Sequence, residues 1–591
     1  MHLLLLLIWI AIATLLRFTN LEAKPVWADE FSTLVFSLGN RFLSVPLDRV
    51  LSWNELLQPL QPHPQATLHT VIQNLFTESN HPPLYFLLTH LWLKLFPTDN
   101  GLVSVGAARS LSALFGVLAV PGMFAWGWLT FRSRLIGQIA AALMAVSPFG
   151  IYLAQEARHY TLAVLWILAS LCCMAVVARR IRNGRRIPLW LCLLWIAVNG
   201  LGVATHYFVL LSLLAETIAF ILWFFTTAYS SENLKGVSRN PIPPCEAWRS
   251  LPPSPISPSF SPLPDFRRLL LVAVGTVTAV LAWLPLLLNI RGTELTRWIQ
   301  AGEFDHSSWI DQLLRPIAAL ISMLYLLPIQ GVPTWMVILF GIVAALLLGW
   351  SIPLLYRGWL NQAQDPETRS MLQLIGGFVG AAFVLSFVLT FGFGINFTSV
   401  FRYQFIYFPG VVGLFAVALS NYWKYNAASF GIKAMQMRGN VAIALVVLFS
   451  LLGGITVTAD LAYQRTHRPD QVAAAVHQSF QHPTLIAIPH KTHAHTTRLM
   501  AIAWELHRLS PTEATQSSFL LAHYPNRDVQ LAVAALQTAL PTLPRPFDVW
   551  RINFRSQANP LSHTVLSNAN CVPASKLSSV DGYRYQQYQC P

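Results

Sequence analysis

The 591-residue chain is 54% hydrophobic and 11% charged, with a formal net charge of +14 and a mean hydropathy of +0.50. Such an apolar excess excludes a soluble enzyme, and many runs approach the roughly 20 residues a spanning helix needs, so the chain is a polytopic membrane protein. In a soluble chain the positive charge would suggest nucleic acid; here Lys and Arg gather in short loops between apolar runs, so the charge is read as topology and no nucleic-acid partner is expected.

The first apolar run, Leu3 to Leu16, lacks a basic leader and a clear small-x-small cleavage site, and is expected to be a retained helix rather than a signal peptide. Residues 17–101 form an unusually long connection carrying Asp29-Glu30 just past that run. Its apolar stretch Leu84 to Phe96 is too short to cross about 30 Å of hydrocarbon and is expected to lie along the outer surface, with Pro82 and Pro83 in its first turn. Spans follow at Val103 to Leu129, Leu135 to Leu153 and Thr161 to Ala178, then a fifth ending at Thr205-His206-Tyr207 and a sixth from Phe208 to Phe225. Arg179, Arg180, Arg182, Arg185 and Arg186 mark a cytoplasmic loop, which puts Glu156 on the opposite, outer face, the same face as Asp29 if the N-terminus is cytoplasmic.

The Pro- and Ser-rich stretch within 229–267 reads as an extended cytoplasmic linker. A seventh span is expected from Leu269 to Asn289. Leu313 to Leu327 is short and is read as interfacial. Four further spans, Met336 to Tyr356, Leu372 to Phe393, Phe405 to Trp423 and Val441 to Val457, bring the count to about eleven, with thirteen as the alternative. The expected class is thus all-α polytopic, with a transmembrane domain over 1–459. From Asp460 the composition turns polar, and strand-like Thr484 to Ile488 and Phe547 to Phe554 with helix-like Val529 to Leu540 predict a small α/β extracytoplasmic domain over 460–591. Cys571 and Cys590 are either a disulfide in an oxidising compartment or two free thiols; Cys172, Cys173 and Cys192 are packing residues.

Four segments meet on the outer face by this topology: Asp29-Glu30, Asn80 to Tyr85, Gln155 to Tyr160, and Phe401-Arg402-Tyr403. Ionised carboxylates persist near lipid only where they face water, a cavity, a metal or a cation. Asp29 or Glu156 could take a proton from an acceptor hydroxyl or amine as a new bond forms. Arg158 and Arg402 are suited to a phosphate leaving group, interfacial anchoring being their plainer reading. His81 and His206 are metal ligands or hydrogen-bonded interfacial histidines, and Tyr85, Trp92, Tyr152 and Tyr160 fit an aromatic belt as readily as a binding groove.

These residues resemble the GT-C superfamily of membrane glycosyltransferases, within it the bacterial relatives of protein O-mannosyltransferases and the aminoarabinose transferase, of glycosyltransferase family 39 or 83 type. The match rests on Asp29-Glu30, His81 to Phe86, Arg109 opening the second span, Gln155 to Tyr160, and Arg402-Tyr403; it covers Met1 to about Tyr229 well and the later spans loosely, and does not extend to the tail. The resemblance implies sugar transfer from a polyprenyl-phosphate carrier to a glycan, lipid or protein acceptor on the periplasmic side of the plasma membrane, typically with inversion. Asp29 then matches the catalytic base and Glu156 the second acidic position. Glu30, His81, Tyr85, Arg158, Tyr160, Arg402 and Tyr403 become substrate-binding candidates. A divalent metal ion is the one cofactor considered, with His81 and His206 as its candidate ligands, although His81 stands where some relatives carry an acid. The alternative is a transporter or flippase of a lipid-linked saccharide, for which inverted repeats are not evident.

Overall fold

The structure, a computed structural model, describes residues 1–235, 266–289, 309–395, 397–423, 439–524, 529–554 and 561–591. Most of the expected linker lies outside the described residues; its first residues continue the Val209–Lys235 helix.

Six described helices are long and apolar enough to cross a bilayer: Val105–Phe131, Tyr160–Arg182, Val209–Thr226, Thr334–Gln362, Pro366–Gly392 and Gly439–Thr458. His2–Phe18, Leu189–Thr205 and Phe408–Trp423 are apolar but shorter. Successive helices alternate in direction. At one end, Gln155 Nε2 donates to the Thr19 carbonyl (3.0 Å), and the His159 and His206 rings lie 4.4 Å apart. At the other, Arg179 pairs with Glu367 (3.2 Å) and donates to the carbonyls of Leu129 and Thr130. The arginine-rich helix end and the acidic motifs therefore occupy opposite ends of the bundle.

The run expected as one span from Leu135 to Leu153 is instead two helices, Arg134–Val146 and Pro148–Ala154, bent by 57°. Pro148 has no N–H to offer the Met144 carbonyl, and Ser147 caps the second helix by accepting from Gly150 N (3.3 Å) while donating to the Met323 carbonyl (2.7 Å). Buried Arg17, at the end of the His2–Phe18 helix, donates to the freed carbonyls of Met144 and Ala145 (2.8 Å each). Side chains of the protein thus satisfy the break, as hydrocarbon requires.

The polar end carries one seven-stranded sheet: β1 (Val50–Ser52), β2 (Thr484–His490), β3 (Ser517–His523), β4 (Phe547–Ile552), β5 (Val572–Pro573), β6 (Ser578–Val580) and β7 (Tyr583–Cys590), in the order β1-β3-β2-β4-β7-β5 with β6 also on β7. β2 pairs in parallel with β3 and β4. It is buried on both faces through Thr484 to Ile488, which is why it reads as an unbroken apolar run rather than an alternation. One strand comes from outside the tail: β1, in the 17–101 connection, pairs antiparallel with β3, Val50 opposite Leu520. Ile486, Ile488, Phe519 and Trp550 share a core with Val26, Phe31, Leu34 and Phe86; Leu485, Ala487, Leu520 and Val549 pack the other face against the Val529–Ala539 helix. Connection and tail are therefore one packed unit, and that unit fixes the segment bearing Asp29.

Cys571 and Cys590 are joined, closing a loop across a sequence separation of 19 and tying the chain end to the sheet. Replacing both by Ser is expected to cost about 3 kcal/mol through the freed denatured chain, read as a lower thermal midpoint of the polar unit; an unchanged midpoint would show that the sheet holds without it.

Candidate active site

Asp29 is placed by the helix Ala28–Ser37, whose N-cap is Trp27 and whose third residue, Glu30, reaches back to accept from the Trp27 N–H (3.4 Å). Phe31 to Ser37 are all buried, so the first turn is anchored while Asp29 keeps 41% of its side chain exposed. Its carboxylate lies 3.7 Å from Arg402 Nη2 and 4.0 Å from Arg158 Nη2. Arg158, only 2% exposed, is oriented by donating to the Asp29 carbonyl (2.9 Å) and to Thr33 Oγ1 (3.3 Å). Arg402 is held with its guanidinium 4.1 Å over the Trp27 ring, a cation–π contact. The Nε–H of each arginine is buried without an acceptor among the described residues. A reachable carboxylate between two arginines can accept a proton while the guanidiniums hold an anion.

A buried charge network supports this turn. Glu30, fully buried, accepts a two-pronged bond from Arg109 (Nε to Oε1 2.8 Å, Nη2 to Oε2 2.9 Å) and a third from Ala157 N (2.9 Å). Arg465 approaches Glu30 at 3.4 Å and pairs closely with Glu156. Arg109 also donates to the carbonyls of Leu21 (2.7 Å) and Lys24 (3.0 Å). Burial alone would raise the Glu30 pKa, but Arg109 and Arg465 outweigh it and hold the carboxyl down at about 2.

Three of the candidate residues are buried. Glu30 is engaged by the buried partners Arg109, Arg465 and Ala157 N. Glu156, expected beside Asp29 in catalysis, is 1% exposed and is tied to Glu30 through Arg465, whereas the ion-pair partners of Asp29 are Arg158 and Arg402. Tyr85, expected at the substrate, is fully buried with its hydroxyl 2.7 Å from Ser112 Oγ. Of the other aromatic candidates, Tyr152 stacks on Tyr463 (4.3 Å), Tyr160 packs against His206 and Phe405 (5.6 Å each), and Tyr403 sits edge-on to Phe208 (4.7 Å). Trp92 is partly buried and donates to the Ala107 carbonyl (3.0 Å).

His81 does not fit a metal. Its Nε2 is 3.1 Å from Arg158 Nη2, which can only donate, so Nδ1 carries the proton and gives it to Ser79 Oγ at 2.9 Å. Burial, then Arg158, holds its pKa at about 3, so the ring is neutral. His206 is spent similarly, its Nδ1 accepting from Phe208 N (3.0 Å). Among the described residues no three His, Cys, Asp or Glu side chains are grouped to hold a metal ion.

Arg465 and His159 complete the site without having been singled out from sequence. Arg465 follows the last span on the face that the positive-inside rule leaves poor in cations, together with His467 and Arg468, and that anomaly is the signal that marks it. His159 lies between His81 (5.6 Å) and His206 (4.4 Å), with neither ring nitrogen bonded among the described residues.

No family model and no curated protein matches the chain. Among solved structures it is similar to ArnT from Cupriavidus metallidurans bound to undecaprenyl phosphate (TM-score 0.45, 13% identity, 99% of this chain and 98% of that one). The apo state of the same protein (TM-score 0.45, 11% identity, 99% and 97%) and the archaeal oligosaccharyltransferase AglB from Archaeoglobus fulgidus in complex with an inhibitory peptide and a dolichol-phosphate (TM-score 0.43, 13% identity, 99% and 74%) are also similar. Both proteins are GT-C membrane glycosyltransferases, the superfamily that the sequence motifs resemble. At these TM-scores the likeness carries no weight of its own, and function is argued from the site.

Proposed function

We propose that the chain is an integral-membrane glycosyltransferase that moves a hexosyl or pentosyl group from a polyprenyl-phosphate carrier to a glycan, lipid or protein acceptor. The observation that carries this reading is the half-exposed Asp29 carboxylate between Arg158 and Arg402, at the polar end of an apolar bundle. Asp29 takes the proton of the acceptor hydroxyl or amine as that atom bonds to the anomeric carbon. The bond from that carbon to the carrier phosphate breaks with inversion, and Arg158 and Arg402 hold the phosphate charge that develops. The two arginines supply the cationic charge that offsets the leaving phosphate. The arginine-rich end of the bundle is assigned to the cytoplasm of a plasma-membrane protein, so the site faces the periplasm.

The test is transfer itself. The chain in lipid nanodiscs, given radiolabelled polyprenyl-phosphate sugars and a membrane extract as acceptor source, is expected to move label off the carrier. Movement of intact carrier across vesicles with no such transfer would favour the flippase instead. Arg402→Ala is expected to raise the donor KM about 10- to 100-fold, the equivalent of one charge-assisted hydrogen bond of about 1.5–3 kcal/mol, with Arg402→Lys recovering part of the loss. An unchanged KM in steady-state assays would take Arg402 out of phosphate binding.

A further inference from the structure

Glu216 stands inside an apolar span and takes no part in the chemistry at Asp29. It lies seven positions into the Val209–Lys235 helix, about 10 Å along the axis from its start, and is 3% exposed. Of the elements packed on that helix, Leu189–Thr205 carries no charge. Pro366–Phe387 and Tyr160–Arg182 carry theirs, Glu367 with Arg369 and Arg179 with Arg180 and Arg182, at the arginine-rich end of the bundle; Phe401–Ile406 brings Arg402 at the other end. The titratable groups beside Glu216 are the thiols of Cys172 and Cys173. It has no ion-pair partner among the described residues.

The hydrogen bonds around Glu216 decide whether it carries a proton. Ser170 Oγ is the hub: it accepts from Trp195 Nε1 (2.9 Å) and lies 3.0 Å from Asn199 Oδ1 and 2.6 Å from Glu216 Oε2. Asn199 Nδ2 donates to Thr276 Oγ1 (3.1 Å), which turns Oδ1 toward Ser170. A serine hydroxyl has one proton for these two oxygens. Given to Asn199, it leaves Ser170 Oγ and Glu216 Oε2 with lone pair against lone pair at 2.6 Å unless the carboxyl brings a proton of its own. With the Asn199 amide turned the other way, the hydroxyl donates to Glu216 instead. An ionised carboxylate would then stand on a single hydrogen bond, since Oε1 is buried without a partner. A buried charge met by one bond and no cation is not sustained at this depth in hydrocarbon. Both arrangements require the neutral acid.

The neutral acid joins the helices bearing Ser170, Asn199 and Glu216 through one hub, and its own helix sets the turn that carries Arg402. Ser212, one helical turn nearer the start than Glu216, donates to the carbonyl of Ile406, the last residue of Phe401–Ile406 (2.8 Å). A charge at Glu216 would draw water between the helices and shift Ser212 with them.

We propose that Glu216 is an intramembrane proton-binding site whose bound proton holds the Val209–Lys235 helix, and through Ser212 the Arg402 turn, in position. The proposal rests on the glycosyltransferase reading only for its kinetic readout. Infrared difference spectra of the full chain in nanodiscs, unmodified minus Glu216→Gln, are expected to show at pH 7 the carbonyl band of a protonated carboxyl. Ser170→Ala, which removes the partner, is expected to shift that band; if Glu216→Gln does not fold, a shifted band upholds the proton site and an unshifted one overturns it. As pH rises the band is expected to disappear and the donor KM to increase about tenfold in step, the scale of one hydrogen bond to a charged group. In Glu216→Gln, neutral at every pH, the KM is expected to stay level over the same range. A merely structural Glu216 would leave the two pH profiles alike. The proposal is overturned if the band is missing at pH 7, or if the unmodified chain and Glu216→Gln share one KM profile. A chain that shows the band yet transfers no sugar sinks the transferase reading and leaves the proton site standing; one that transfers without the band does the reverse.

Discussion

Asp29→Asn is expected to lower kcat for sugar transfer by about 10²- to 10⁴-fold, the range that a positioned general base contributes, while the donor KM stays level or falls. The split follows from the geometry. Asparagine keeps the size and the helix-start position of Asp29, and the first turn stays anchored by Glu30 and the buried face from Phe31 to Ser37. What disappears is proton affinity, and with it the anion that now lies 3.7 Å from Arg402 and 4.0 Å from Arg158. Both guanidiniums are then freer for the carrier phosphate, so binding does not suffer as chemistry does. A merely structural Asp29 would lower expression or raise KM and kcat effects together. Steady-state kinetics on nanodisc-embedded enzyme distinguish the two, and an unchanged kcat removes Asp29 from the base role. Glu156→Gln is expected to do the opposite, costing stability before catalysis, because Glu156 is buried against Arg465.

How much of this was legible in the sequence depended on whether a feature is local. Hydropathy and arginine placement set the alternation of helices, and through it the shared face of Asp29, His81, Arg158 and Arg402, because each is a property of one segment and its flanks. The break at Ser147 went unread even though Ser147-Pro148 stands in plain view, because apolar residues on both sides made a span of the right length. β1 has three residues, too few for a period-two pattern, so the joining of the 17–101 connection to the tail's sheet had no sequence signature. The roles within the Asp29-Glu30 pair are likewise non-local. Glu30 is bonded to Arg109 across 79 positions and to Arg465 across 435; a sequence displays the charges but not their partners. Adjacent residues of one turn thus face opposite ways, Glu30 inward into the buried charge network and Asp29 outward, with its carboxylate partly exposed.

Removing either partner of the Glu30–Arg109 pair is expected to cost about 3–5 kcal/mol, because each leaves a charge that was buried with its counterion and can no longer reach water. Glu30→Gln leaves Arg109 facing the carbonyls of Leu21, Lys24 and Pro25, and leaves Arg465 with Glu156 alone. Arg109→Met leaves Glu30 to Arg465 at 3.4 Å and the Ala157 N–H. The double variant Glu30→Gln, Arg109→Met is expected to lose less than the two single losses together, since it buries no lone charge at that pair. Acid should reproduce the single loss without mutation. The folded carboxyl titrates near pH 2, below its ordinary 4.5, so its contribution is complete above about pH 4.5 and is lost as pH falls through 2, amounting to about 3 kcal/mol for a shift of that size. In Glu30→Gln that part of the acid dependence should vanish. Thermal midpoints from pH 7 to 3 in detergent, read for both proteins, check it: parallel curves would mean that Glu30 does not carry the charge the fold is built around, and that the turn presenting Asp29 is held by apolar packing alone.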